Sequence, residues 1–435
     1  MDQQIYYAPR DGGETTFGVN ASSLKFGAGC LDELGGDAQA QGLKRVGFFV
    51  DPRVRETEPG ARAIASLQRA GIDCAVYDQC KVEPTNHSFI DAIEFAKDGN
   101  FDGFISLGGG SVMDTAKAAN LYTTYPADFL DYVNAPIGGG VPIPGPVMPH
   151  IACPTTSGTG SEMTGAAIFD LVEQQVKTGI SNKFLKPTLA VVDPTTTYTL
   201  PGGGVASTGF DVFTHAIESY TARPYTSYDH PETLKTRPVY QGANPWSDIG
   251  AMQAIRLGGT YIERGVRDAG DHEARDALMF ASVLAGLAFG NAGVHIPHAM
   301  SYSVAGLNHS FVASGYENDN PMVPHGISVV LNAPAAFRFT APVAPARHLE
   351  VAAALGADVS DADAADAGPV LADTLIGMMR ACGIPNGLSA LGYGEDDIPA
   401  LITGAQAQQR LLVVSPRPVA TQDLQSLYFD AMRYW

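Results

Sequence analysis

The fold class this sequence predicts is an α/β dinucleotide-binding domain with a parallel, Rossmann-like sheet, followed by an all-α domain. Three observations predict it. From Val46 to about residue 200, short apolar runs alternate with stretches whose apolar residues recur at helical spacing. A Gly-rich turn, GGGSVMDTAK at 108–117, joins one of those runs to a helix. Beyond LPGGG at 200–204 the strand signal fades and helical periodicity takes over. With 435 residues the chain is too long for one ordinary core, and the expected boundaries are 1–200 for the α/β domain and 201–435 for the helical one.

In order, VGFFVD (46–51), CAVYD (74–78) and GFISLGG (103–109) read as buried strands, with SFIDAIEFAKDG as a helix between the last two. IACPTT (151–156) and TLAVVDP (188–194) read as further strands, and the Gly- and Pro-rich APIGGGVPIPGPVMP reads as a loop. Helices are expected at 206–221, 248–265, 273–290, 296–306, 326–339, 346–356, 364–382 and 421–434. MFASVLAGLAF (279–289) is apolar nearly all round, which suits a helix buried in a core. The long polar connection at 222–248 suggests a lid or substrate loop.

Composition narrows the function. With 27 Lys plus Arg against 46 Asp plus Glu, the net charge of -19 repels a phosphate backbone, so nucleic acid is not an expected partner. No apolar run approaches the ~20 residues of a membrane helix, and the opening MDQQIYYAPRDGGETTF carries no recognisable targeting signal. The expectation is a cytoplasmic protein with a small-molecule substrate and no membrane partner. The 5 cysteines include no C-x-x-C pair, which suggests neither a disulfide framework nor a thiolate zinc site.

Two regions carry chemistry. In the first, GGGSVMDTAK lets backbone approach a pyrophosphate at a helix N-terminus, although it is not the G-x-G-x-x-G fingerprint and also reads as a ligand-free turn. PTTSGTGSEMT (154–164) adds hydroxyls that can bond phosphate, ribose or carboxamide, or simply cap a turn. Asp51, ending the first predicted strand, can accept from an adenosine ribose and select NAD over NADP, or can cap a helix. In the second region, Asp211 and His215 at i and i+4 project from one helix face, close enough to share a metal. His295, His298 and Tyr302 can share another face, and His325 sits at a turn entering a helix. Histidines in apolar surroundings need partners for their nitrogens, and an Asp-plus-three-His set suits Fe(II) or Zn(II). Spacing does not choose between His295 and His298.

GGGSxxDxAK, PTTSGTGSE, GFDxxTHAIESYT, GNAGVHIPHAMSY and PHG, in that order, resemble the iron-type alcohol dehydrogenase family, whose architecture is shared with dehydroquinate synthase. The resemblance implies an N-terminal NAD-binding domain, a helical metal-binding domain and a dimer. It places the metal ligands at Asp211, His215, His298 and His325, which settles the His295 question by resemblance alone. It places phosphate-loop residues at Gly109, Gly110, Ser111 and Asp114, nicotinamide and ribose contacts at Thr155, Thr156, Thr159 and Thr164, a cofactor-facing lysine at Lys177 and the NAD-selecting acid at Asp51. Many relatives carry a proton-relaying His where this chain has Tyr302. TRPVYQGANPWSDI, PHGISVVLNAPAAFRFTA and LGYGEDDIPALITG look like one branch of the family, whose members oxidise 4-hydroxybutyrate to succinic semialdehyde while reducing 2-oxoglutarate to 2-hydroxyglutarate.

The implied mechanism is hydride transfer between an alcohol carbon and nicotinamide, with a metal, Fe(II) or Zn(II), as Lewis acid. A carboxylate-bearing substrate needs a cation, and Arg237 in the TRPVYQG loop is the sequence candidate. The competing readings are a general NAD-linked alcohol dehydrogenase with exchanging cofactor, a metal-free reductase resembling maleylacetate reductase, and a metal- and NAD-dependent lyase resembling dehydroquinate synthase.

Overall fold

The computed structural model describes residue 6 and residues 10–174, 176–233, 237–308, 310–313 and 321–435. It divides into two compact units, Asn20–Thr199 and Met1–Val19 with Leu200–Trp435. Residues 10–19 therefore group with the helices, whereas the sequence predicts them in the α/β domain.

The strands of the Asn20–Thr199 unit are β1 (Ser23–Phe26), β2 (Arg45–Val50), β3 (Asp73–Tyr77), β4 (Gly103–Gly108), β5 (His150–Pro154), β6 (Ala166–Leu171), β7 (Val176–Ser181) and β8 (Leu189–Val192). Six of them form one sheet in the order β1-β8-β5-β4-β2-β3. All neighbours in it run parallel, with Val46 opposite Gly103 and Ile105 opposite Ile151. Both faces are covered. Phe48, Val50, Leu107 and Val191 pack on one side, and Phe49 and Phe104 pack on the other against Val112, Ala116 and Ala119 of the Gly110–Thr124 helix. Burial on two sides is why these strands read as unbroken apolar runs and do not alternate. The antiparallel hairpin of β6 with β7 adds a second small sheet. Neither β1 nor this hairpin is among the strands expected from the sequence. β1 is a short, largely exposed strand with Lys25 inside it, so it has neither the length nor the apolar run that reveals a strand.

In the other unit the helices Gly202–Thr221, Pro245–Arg267, His272–Ala292 and Ile296–Gly306 share one core, with Phe210, Phe213, Ile255, Ala285 and Met300 in it. The stretch expected as one helix at 326–339 is two, His325–Val330 and Ala333–Thr340, with Pro334 in the first turn of the second. Two helices, Ile398–Gln406 and Gln409–Leu412, were not foreseen. Among the described residues no single helix is long and apolar enough to cross a membrane; the pair His272–Ala292 and Ile296–Gly306 passes that test only jointly, across a 103° bend.

Candidate functional site

The Gly202–Thr221 helix carries Asp211, His215 and Glu218, spaced one turn apart so that all three share a face. His298 lies in the first turn of the Ile296–Gly306 helix, and His325 opens the His325–Val330 helix. Gly326 makes the last approach possible, since a Cβ there would lie 1.9 Å from the Ser207 carbonyl oxygen. Asp211, His215, His298 and His325 each offer a ligand atom, all within 4.8 Å of one another. From Asp211 Oδ1 the distances are 3.6 Å to His215 Nδ1, 3.5 Å to His298 Nε2 and 3.8 Å to His325 Nε2.

The donor set fits a divalent metal on an observation independent of any motif. Asp211 Oδ1, His215 Nδ1 and His298 Nε2 are buried, and none has a hydrogen-bond partner. Buried polar atoms are nearly always satisfied, and three electron-pair donors converging on one point without a partner are satisfied together by one cation. Oxygen and imidazole donors in this mixture suit Fe(II) or Zn(II).

Glu218, present in the GFDxxTHAIESYT pattern but given no role from the sequence, organises the centre from behind. Its carboxylate accepts the Nδ1–H of His298 and the backbone N–H groups of His295 at 2.7 Å and His298 at 3.3 Å. Holding the proton on Nδ1 turns the Nε2 lone pair toward Asp211. Burial works against charging the His298 ring, but Glu218 and Asp211 outweigh it and push its pKa up to about 10. Burial dominates at His215 and pulls it down to about 3. The two rings stack with centroids 4.3 Å apart, and the other face of His215 lies on Phe289 at 4.0 Å. A divalent cation can take the place of the proton that these carboxylates attract.

His295 does not join the set. It is the residue that caps the helix, and its Nε2 lies 3.2 Å from Thr221 Oγ1. Tyr302 lies one turn beyond His298, buried, and its phenolic oxygen accepts from Arg410 at 2.8 Å. Arg237 is already matched, because its guanidinium donates to Glu14 at 2.8 and 3.1 Å and to Thr16 at 2.8 Å. An arginine neutralised inside the protein is a poor anchor for a substrate carboxylate, so Arg237 does not fit the role its sequence position suggests. Leu234, Lys235 and Thr236 of the same loop lie outside the described residues.

In the sheet unit, the Gly110–Thr124 helix starts at Gly109 with no side-chain cap. Its first N–H groups are therefore left for a ligand, and the helix end favours an anion. Thr155 donates its N–H to Gly108 at 3.0 Å, holding the PTTSGTGSE turn against the glycines. A Cβ on Gly110 would lie 2.6 Å from Thr159 Oγ1, and one on Gly109 would lie 3.4 Å from Thr156 Oγ1. Ser111 Oγ accepts from Glu83 N–H at 3.2 Å, and Thr164 is buried behind the turn. Asp114 points inward, accepting from Ser161 Oγ at 2.6 Å and Ile168 N–H at 2.9 Å. Lys117, the last residue of the GGGSxxDxAK motif but given no role from the sequence, is buried and donates to the Ser161 and Ala166 carbonyls at 2.8 Å each. Asp114 and Lys117 thus fasten the hydroxyl-rich turn to the helix.

Lys177 is buried between Glu83 at 2.5 Å and Asp170 at 3.0 Å, whose charges overcome burial and hold it well above the ordinary lysine range. Asp51 caps the Pro52–Arg55 helix by accepting from Arg53 N–H at 2.8 Å and Val54 N–H at 3.3 Å. The structure thus shows both residues engaged within the protein.

Comparison with known proteins agrees with this chemistry. Residues 21–194 match the family model described as iron-containing alcohol dehydrogenase, and 239–432 match the C-terminal model of the Fe-containing alcohol dehydrogenase family. The chain is 49% identical over 428 residues to the mitochondrial hydroxyacid-oxoacid transhydrogenase of Bos taurus, covering 97% of this chain and 92% of that one. To the human protein of the same name it is 48% identical over 428 residues, with the same 97% and 92% coverage. The structure of an alcohol dehydrogenase from Oenococcus oeni superposes with a TM-score of 0.83 at 25% identity, covering 96% of this chain and 100% of that one. Fold, site and matches together define a metal- and NAD-dependent oxidoreductase. The chain belongs to the iron-containing alcohol dehydrogenase family.

One expectation is overturned. Both transhydrogenases are named as mitochondrial, which contradicts the cytoplasmic location expected from the sequence. That expectation rested only on the character of the opening residues.

Proposed function

We propose that this protein is a hydroxyacid-oxoacid transhydrogenase, oxidising 4-hydroxybutyrate to succinic semialdehyde and reducing 2-oxoglutarate to 2-hydroxyglutarate with the same nicotinamide. The observation that carries the oxidoreductase chemistry is the convergence of Asp211, His215, His298 and His325, in which the buried donor atoms of the first three lack a hydrogen-bond partner. The likeness to transhydrogenases over 97% of the chain supports the choice of substrates. In this reading the four residues hold Fe(II), and Gly109, Gly110 and Ser111 with the uncapped helix take the cofactor pyrophosphate. When bound, the metal supplies Lewis acidity toward the alcohol or carbonyl oxygen, and nicotinamide C4 carries the hydride.

The protein's own part is positioning. Glu218 fixes the tautomer and ring angle of His298, and the stack of Phe289, His215 and His298 holds the imidazoles in place and keeps water from them. Tyr302 stands one turn beyond His298, where many relatives carry a histidine, and Arg410 donates to its oxygen and orients the phenol within the site. Desalted protein given 4-hydroxybutyrate and 2-oxoglutarate, without added NAD, tests the reading. Equal, multiple-turnover formation of both products supports it. Product only when NAD is supplied, with NADH accumulating, identifies a dehydrogenase with exchanging cofactor.

A further inference from the structure

We propose that Arg410, with the phenols of Tyr302 and Tyr240, is the site that binds the carboxylate of the hydroxyacid and oxoacid substrates. The inference deepens the transhydrogenase reading and rests on it. Both substrates of that reaction are carboxylates, whereas the metal centre by itself recognises only a hydroxyl or carbonyl oxygen.

Arg410 lies in the short Gln409–Leu412 helix and is half-buried. Its guanidinium donates to Tyr302 Oη at 2.8 Å, lies 5.6 Å from the centre of that ring and also faces the Tyr240 phenol. No carboxylate pairs with it among the described residues. Two other arginines of the same unit show the contrast, since Arg347 is matched by Asp248 at 2.6 Å and Arg237 by Glu14 at 2.8 Å. A cation drawn this far out of water and given only neutral partners is incompletely compensated, and an incoming carboxylate completes it.

The position is also right. Tyr302 stands four residues after His298 on one helix, a rise of about 6 Å. Tyr240 packs over Gly293, where a Cβ would lie 2.7 Å from the Tyr240 Cβ, and Gly293 stands in the turn that leads into the His298 helix. The guanidinium is therefore tied through Tyr302 to the helix that carries His298, and through Tyr240 to the turn that precedes it. In 4-hydroxybutyrate the hydroxyl oxygen and carboxyl carbon are four bonds apart, roughly 5 Å when extended. A substrate of that length spans from the metal cluster to a point one helical turn away. Each phenol that accepts from Arg410 keeps its own O–H, so Arg410, Tyr302 and Tyr240 together offer a carboxylate a guanidinium fork and two hydroxyl donors.

The test compares 4-hydroxybutyrate with 1-butanol, the same carbon chain without the carboxylate, in wild type, Arg410→Met, Arg410→Lys and Tyr240→Phe. Metal content and thermal midpoint are measured for each variant. Arg410→Met should lower kcat/KM for the hydroxyacid about 100-fold more than for the alcohol, mostly through KM. Arg410→Lys should recover part of that difference, since charge returns without the fork. Tyr240→Phe should shift the same ratio about tenfold. Equal losses on both substrates would overturn the assignment and make Arg410 a positioning residue for Tyr302; an unchanged ratio would overturn it as well. A wild type that turns over the alcohol but no hydroxyacid would instead defeat the transhydrogenase reading itself, and this proposal with it.

Discussion

Replacing Glu218 with Gln should weaken metal binding while leaving all four ligands in place. The wild-type carboxylate accepts three N–H groups, from the backbones of His295 and His298 and from His298 Nδ1. Glutamine has one acceptor oxygen and one NH2 group. If the oxygen keeps the backbone donors, the NH2 meets Nδ1 and drives the ring proton to Nε2, the atom that must face the metal. If the amide turns over, the NH2 meets two backbone N–H groups. Either arrangement exchanges a charge-assisted bond, about 1.5–3 kcal/mol, for a poor neutral contact. The loss corresponds to about 10- to 100-fold in metal affinity, the range expected when an outer partner of a ligating histidine is removed. Competition against a chelator of known affinity, run anaerobically with Fe(II) and separately with Zn(II), reads the change directly. A Glu218→Gln variant that holds metal within about twofold of wild type would refute the claim that Glu218 sets the tautomer of His298.

Two further outcomes are expected. His295→Gln should retain full metal after desalting and lose only about 1 kcal/mol of stability, from its Thr221 contact, whereas His298→Gln should lose most of its metal; metal analysis of both variants checks this. Glu14 gives a pH dependence: burial alone would raise its pKa, but the Thr15 and Thr16 N–H groups, the Thr16 hydroxyl and Arg237 outweigh it and lower the value from 4.5 to about 2. A depressed carboxylate contributes stability above its unfolded pKa and loses it as pH falls through the folded one, so about 1–3 kcal/mol should disappear between about pH 4.5 and 2. Urea unfolding of wild type and Glu14→Gln should show the two converging across that window, and a gap independent of pH would count against the pairing.

Part of this site could be read from residues alone because helical spacing is rigid. Asp211 and His215 at i and i+4 must share a face, and Glu218, seven residues after Asp211, follows from the same periodicity although it was not drawn out. The choice between His295 and His298 was closed to that reasoning, because a helix beginning only one residue before 296 would put both on one face. His295 instead caps the helix with φ -136° and ψ -113°, and its side chain leaves the ligand face. The carboxylate-binding candidate was missed for a different reason. Arg410 meets Tyr302 across 108 residues of sequence, from a four-residue helix without motif or strong periodicity. Arg237 looked suitable because its loop is long and polar, yet Glu14, more than two hundred residues away, already occupies it. In the sheet unit the buried strands were visible as apolar runs, while β1 and the β6–β7 hairpin, shorter or partly exposed, were not.

The central claim, that one nicotinamide carries hydride from a hydroxyacid to an oxoacid, is tested most directly by isotope transfer. The protein is incubated with 4-hydroxybutyrate deuterated at its carbinol carbon and unlabelled 2-oxoglutarate, and the isolated 2-hydroxyglutarate is analysed by mass spectrometry. The account predicts one deuterium at C2 of 2-hydroxyglutarate, formed in step with deuterated succinic semialdehyde. 2-Hydroxyglutarate without label, or none formed while the hydroxyacid is oxidised, would contradict it.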